Sequence, residues 1–232
     1  LYYKSMFKLT GSTDNDSFYP QIAYFANHAN EQVRNDSLAS VRVASFIIGD
    51  GTAINPYFIR NESDWLLLAD STTSGNDYKG RYFVVNDEIF ELNFTGEYKL
   101  IPVGNPTNPF NGTLDGRGIN FNIYLSNNLN NQALFGYVGK DGHVKNISAS
   151  GDIKGAQYTA AIASLNAGII ESVYNQANIT GTNYTAGIVA SNTGIVKNAY
   201  NRGKIVGTNN VGGILAYLEG TLFNTYNTGV IY

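Results

Sequence analysis

From residue 142 onward, short runs of branched aliphatic residues alternate with polar segments rich in glycine and asparagine, and the alternation recurs every 26 residues. Gly142, Gly168, Gly194 and Gly220 follow at that interval, and so do Ile153, Ile179, Ile205 and Ile231. A column of Val144, Ile170, Val196 and Leu222 keeps the same register, as does a second glycine column, Gly151, Gly203 and Gly229, with Ala177 in its gap. A period of this length marks an array in which each copy stacks on the next.

One copy predicts a strand over 187–190, a turn over 191–194 and a second strand over 195–200. A turn over 201–203, a third strand over 204–206 and a loop over 207–210 complete it. No helix of useful length fits inside the unit, and the unit is too short for a four-stranded propeller blade. One coil of a right-handed parallel β-helix fits. Each residue then lies about 4.8 Å above its equivalent one copy earlier. Stacking gives the columns a purpose: Ile162, Ile188 and Ile214 fill the interior with the two aliphatic series. The column Ile147, Val173, Ala199, Thr225 shrinks upward, as at a narrowing interior or its rim.

Outward positions form columns too. Tyr174, Tyr200 and Tyr226 predict an aromatic ladder, with Ser148 standing where the first ring would be. Asn175, Asn201 and Asn227 predict an amide ladder at an outer turn, and Lys145, Glu171 and Lys197 alternate in sign. Exposed aromatics in a row can stack on sugars or pack against a protein, and they can also simply stack on one another. Tyr174, Tyr200 and Tyr226 are therefore the candidate ligand-binding face.

Upstream the pattern changes. Residues 51–59 read as a turn into a strand, 61–70 as a capped short helix, 71–75 as a polar loop and 82–85 as a strand. Residues 110–118 read as a glycine-rich turn and 119–123 as a half-buried strand. The expected division is 1–50 as lead-in or tail of a preceding domain, 51–103 as entry and cap, and 104–232 as the β-helix. Within 1–50, apolar spacing behind Pro20 predicts a helix near 20–34, and 41–48 reads as a strand. The chain starts at Leu1 and stops in mid-repeat at Tyr232, so a fragment of a longer protein is expected.

Composition narrows the chemistry. A net charge of −3 with 14% charged residues leaves no electrostatic footprint for nucleic acid or an anionic membrane. The sequence has no signal peptide and no apolar stretch of membrane-spanning length. There is no cysteine, so neither disulfides nor a thiolate site is available, and His28 with His143 makes a poor basis for zinc. Asp14-Asn15-Asp16-Ser17 has alternate oxygen ligands but lacks the glycine and distant glutamate of a calcium loop. Asp115-Gly116-Arg117-Gly118 lacks the lysine and strand–loop–helix setting of a phosphate loop, and reads as a structural turn. Asp141, Asp152, Glu171 and Glu219 share no column in adjacent coils, which is unsuited to paired-carboxylate glycosidase chemistry. The sequons at Asn111, Asn146, Asn178 and Asn183 are expected by chance in so Asn-rich a chain.

The segments 186–190 and 192–203 resemble the GLUG motif of bacterial surface proteins, which include adhesin-like proteins and the N-terminal parts of IgA-specific metallopeptidases. Tyr57-Phe58-Ile59 with Ser63-Asp64-Trp65-Leu66 is similar to the entry segment that precedes such repeats. Phe110 through Gly118 resembles the family's F-x-G-T-L-D-G-x-G turn, and 134–139 its first-coil signature. The resemblance covers the chain from about residue 51 and implies an exported β-helix, extracellular or on a bacterial surface. It transfers no catalytic residue, and the peptidases' H-E-x-x-H is absent. The expectation is thus an all-β, non-enzymatic stalk or adhesion module without cofactor, its partner a host glycan or protein. The substrate-positioning part of a secreted protease comes second, and a polysaccharide-active β-helix third.

Overall fold

The computed structural model describes residues 48–232, all within the unit Phe46–Tyr232. The helix expected at 20–34, the loop at 14–17, His28 and all but the last residue of the strand expected at 41–48 lie outside the described residues.

The described residues form a parallel β-solenoid with one helix. It opens with β1 (Tyr57–Ile59), α1 (Glu62–Thr73), β2 (Tyr82–Val85), β3 (Glu91–Phe94), β4 (Thr113–Ser126) and β5 (Phe135–Val138). The repeats supply β6 (His143–Lys154), β7 (Gln157–Thr159) and β8 (Ala163–Asn166). The next coil holds β9 (Ile169–Asn175), β10 (Asn178–Thr180), β11 (Asn183–Ala186) and β12 (Val189–Asn192). The last comprise β13 (Ile195–Asn201), β14 (Ile205–Val206), β15 (Asn209–Gly212), β16 (Leu215–Leu218) and β17 (Thr221–Asn227). The longest sheet runs β1-β2-β4-β6-β9-β13-β17, so strands of the 51–103 segment already contribute rungs to it. Two smaller sheets, β15-β11-β7 and β16-β12-β8-β5, close the coil.

Register matches the columns read from sequence. Val144, Ile170, Val196 and Leu222 pair in succession, and so do Ile153, Ile179 and Ile205, with Ile231 bridged to Ile205. Ile162, Ile188 and Ile214 are buried between them. The glycine column has a steric cause. A Cβ on Gly168, Gly194 or Gly220 would run into the carbonyl oxygen of the glycine one coil below.

The two later coils, β9–β12 and β13–β16, carry four strands each where three are expected, because part of the loop at 207–210 pairs as β15 against Asn183–Ala186. Stacked neighbours offer that Asn- and Gly-rich segment a ladder its own propensity does not favour. The strand expected at 187–190 lies two residues later, at Val189–Asn192. The long strands bend where Asn146, Ser172, Asn198 and Asn224 stack in the left-handed region, at φ of 56°, 53°, 52° and 51°. Asn takes that conformation more readily than most residues. The turn expected at 110–118 is likewise a bend within β4, with a register shift between Asp115 and Ile119.

The helix begins as expected, with Asn61 Oδ1 accepting the Asp64 N–H at 3.0 Å. It runs three residues beyond the expected end. Thr72 and Thr73 hydroxyls bond back to the carbonyls of Leu68 and Ala69, at 2.7 and 2.9 Å. Ser71 is buried and accepts the Tyr78 hydroxyl at 2.7 Å, so residues 71–73 of the expected polar loop are helix, and only Ser74 and Gly75 form an exposed turn. Trp65 is fully buried, its ring 4.5 Å from Phe121 and 5.5 Å from Phe135 between centroids.

Candidate functional site

The three candidate tyrosines come together on the long sheet. Tyr174, Tyr200 and Tyr226 occupy equivalent positions of β9, β13 and β17, in parallel register. Their ring centroids lie 5.0 and 4.1 Å apart, inclined by only 14° and 22°. The rings therefore spend their inner faces on one another, and the column turns edges and hydroxyls outward. Tyr200 Oη also shares a 2.7 Å hydrogen bond with Thr228 Oγ1. Below Tyr174 the register position is Ser148, so the lower face of that ring meets no further ring.

Beside the rings runs the column of left-handed residues, and the two columns wall a shallow groove. Its upper part, about 360 Å³, is lined by Ser172, Tyr174, Asn198, Tyr200, Asn224 and Tyr226 above a floor that includes Ala199. Its lower part, about 480 Å³, reaches Arg117, Gly118, Asn146 and Ser148 and shares Ser172 and Tyr174 with the first. Both fall within the roughly 300–1,000 Å³ of small-molecule sites, though they stand open to solvent. The Asn224 amide donates to Asn198 Oδ1, which fixes that wall.

The amide ladder predicted for Asn175, Asn201 and Asn227 is present, but not outside. Asn175 and Asn201 have no exposed surface. Asn175 Nδ2 donates to Asn201 Oδ1 at 2.7 Å, and Asn201 Nδ2 to Asn227 Oδ1 at 2.6 Å. Each amide also closes a turn over the residue two positions on, as where Asn201 accepts the Gly203 N–H at 3.1 Å and donates to Gly203 O at 3.0 Å. A buried polar side chain is tolerated when every group is paired, and here it is. A second ladder, Asn166 Nδ2 to Asn192 Oδ1 at 2.6 Å, sits at another corner. Sequence reasoning missed this burial; the Asn-x-Gly triplets at 166–168 and 192–194, and at 201–203 and 227–229, were the available signal. A second stacked pair was missed as well. Tyr158 and Tyr184, also 26 apart, lie 4.9 Å apart and 1° from parallel.

The charged column is Asp115, Lys145, Glu171, Lys197 in register. Lys145 Nζ lies 3.2 Å from Asp115 Oδ2, and Lys197 pairs with Glu171. The Lys197 hydrogen bond holds the Glu171 carboxyl below its ordinary range. Burial acts to raise the Asp115 carboxyl, but the Asn146 amide, the Arg117 N–H and Lys145 together hold it low. Burial pushes His143 down against the pull of Glu171, whose Oε2 lies 3.7 Å from Nε2, beyond hydrogen-bond reach.

The remaining acids are engaged one by one. Asp141 pairs with Lys79 at 2.9 Å, Asp152 accepts from Asn178 at 3.0 Å, and Glu219 accepts from the Tyr217 hydroxyl. Among the described residues no three His, Asp or Glu side chains gather as a metal site would require. Asp115 Oδ1 accepts the Arg117 N–H at 2.9 Å, so Asp115-Gly116-Arg117-Gly118 is a hydrogen-bonded bend. Among the described residues no helix is long and apolar enough to cross a membrane.

No protein-family model matches the chain, and no curated protein matches it. A solved structure from Bacteroides ovatus, provisionally named an immunoglobulin A1 protease, is similar in fold, with a TM-score of 0.51 at 18% identity. The match covers 75% of this chain and 64% of that one, so the chain spans less than two thirds of that protein's length. At such identity the likeness concerns the fold alone.

Proposed function

We propose that this chain is a non-catalytic module of a large bacterial surface protein. It acts outside the cell as a rigid β-helical stalk that presents its side face to a host glycan or protein. The observation that carries the reading is the groove between the tyrosine column and the left-handed Asn/Ser column, continuous across successive coils. Stacking holds that face rigid, so little ordering entropy is lost on binding. The resemblance of the repeats to the GLUG motif supports an exported setting. In this reading the chain needs no cofactor and supplies no reacting group.

One observation favours a second reading, the substrate-positioning region of an IgA-protease-like metallopeptidase: the likeness in fold to the Bacteroides ovatus protein. The same groove then serves to hold a protein substrate.

Both readings are tested on an array of glycans and host proteins that includes immunoglobulin A1, probed with the protein and with a Tyr174/Tyr200/Tyr226→Ala triple variant. Retention of a glycan or a surface protein, lost in the triple variant, is the expected result. Retention of immunoglobulin A1 alone, lost in the same variant, favours the second reading. Equal binding by protein and variant removes the side face from consideration.

A further inference from the structure

The tyrosine ladder has a vacant rung. Register places Ser148 below Tyr174 and Asn120 below Ser148. Coils rise by about 4.8 Å, and one aromatic ring fills each step where a ring is present. At the Ser148 step no ring is supplied. The serine hydroxyl is drawn toward the coil beneath, 3.2 Å from both Ile119 O and Asn120 Oδ1. The lower face of Tyr174 therefore looks into a notch one ring thick, and the lower groove opens at this point.

Resting on the reading of this side face as a binding surface, we propose that the notch is a subsite for a single neutral pyranose ring, stacked under Tyr174 at the level of Ser148. A pyranose has an apolar C–H face and a rim of hydroxyls, and the notch is built to the same plan. Its roof is one aromatic face. Its rim carries the polar side chains of Arg117, Asn146, Ser148 and Ser172. An aromatic side chain of a protein would need apolar walls. The aliphatic lining here is Ile147, whose side chain is turned into the core. The nearby charges offer an ionic ligand little, since Arg117 pairs with Asp87 at 2.7 Å and Lys145 with Asp115. The ring adds a layer to the existing stack, as the next tyrosine does higher up.

The test is amide chemical-shift mapping with neutral methyl glycosides of glucose, galactose and mannose, read as Kd. One exposed ring face and a few hydrogen bonds correspond to a Kd of about 1 mM for a single unit. Expected are shifts centred on Ser148, Ser172 and Tyr174. Ser148→Tyr, which completes the ladder, weakens binding at least about tenfold while the melting temperature holds or rises. Tyr174→Ala, which removes the roof, does the same and serves if Ser148→Tyr fails to fold. Leu129→Ala, at an exposed side chain that lines neither part of the groove, leaves the Kd within about twofold, since well-separated sites act independently.

Undiminished binding by Ser148→Tyr, or shifts centred on Tyr226, overturns the notch but leaves the side-face reading standing. So does failure of all three glycosides at millimolar concentration, or a tyrosine-containing peptide that binds where they do not. Array binding that survives the triple tyrosine variant removes the side-face reading itself.

Discussion

The coils before residue 127 and those after residue 142 share one sheet but solve its interior differently. In the later coils the register step is constant, 143 to 169 and 169 to 195, each 26 residues. In the earlier ones it is 31 residues from Tyr82 to Thr113, 30 from Thr113 to His143, and 28 from Ile119 to Ile147. One column shows the reason. Phe121 lies under Ala149, which lies under Asn175, Asn201 and Asn227. Low in the stack that position is aromatic and is packed by Trp65 from α1; higher up it becomes an amide that ties its own turn. A large interior filled by rings from non-equivalent places tolerates loops of varied length. An interior closed by Asn-x-Gly turns requires identical ones.

The sharpest way to break the comparison is Trp65→Ala. Trp65 touches Phe121 and Phe135 together, and the repeats have no counterpart to it. Its loss should cost about 3–5 kcal/mol, measured as a lower denaturant midpoint at unchanged slope. A loss of the size expected at the surface would show that α1 is an appendage rather than the core of the early coils.

Next comes the corresponding change in the repeats, Asn201→Ala. It leaves the Asn175 amide, the Gly203 N–H and the Gly203 carbonyl without their partner inside the coil. A cost of about 2–3 kcal/mol is expected. Hydrogen exchange should place that loss in the coils beside Asn201, since repeat arrays couple to nearest neighbours. Exchange that quickens equally through the early coils would mean the two regions unfold as one.

The smallest effect is electrostatic and confined to the later coils. Glu171 and His143 both titrate below their ordinary values of 4.5 and 6.5. In both cases the unfolded chain binds more protons across the window, so their stabilisation is present above those values and is lost as pH falls through the lowered ones. Glu171→Gln should flatten the acid limb below pH 4.5. At neutral pH it should cost about 1 kcal/mol, the pair being only partly buried. An unchanged acid limb would show that the charged column is ornamental to stability.

The same contrast governs what could be read from the chain. Where residues sit above their own equivalents, sequence and structure carry the same periodicity. The glycine, isoleucine and tyrosine columns were legible for that reason, and so was the break at Ser148. The burial of Asn175 and Asn201 was not, because a polar residue in a turn reads as solvated unless its partner one coil away is considered. Trp65 was placed in the helix, but its target rings on β4 and β5 share no spacing with it. The helix end at Thr73 escaped notice because serine and threonine read as loop until their hydroxyls are seen bonded to the helix carbonyls.

The interior amide ladders also have a direction. Asn166 donates to Asn192, and Asn175 to Asn201 to Asn227, always toward the higher-numbered coil. A cut between any two of these coils exposes amide hydrogens on one surface and amide oxygens on the other. Two such surfaces match only head to tail, so each side-chain column carries a polarity along the whole run of coils it joins.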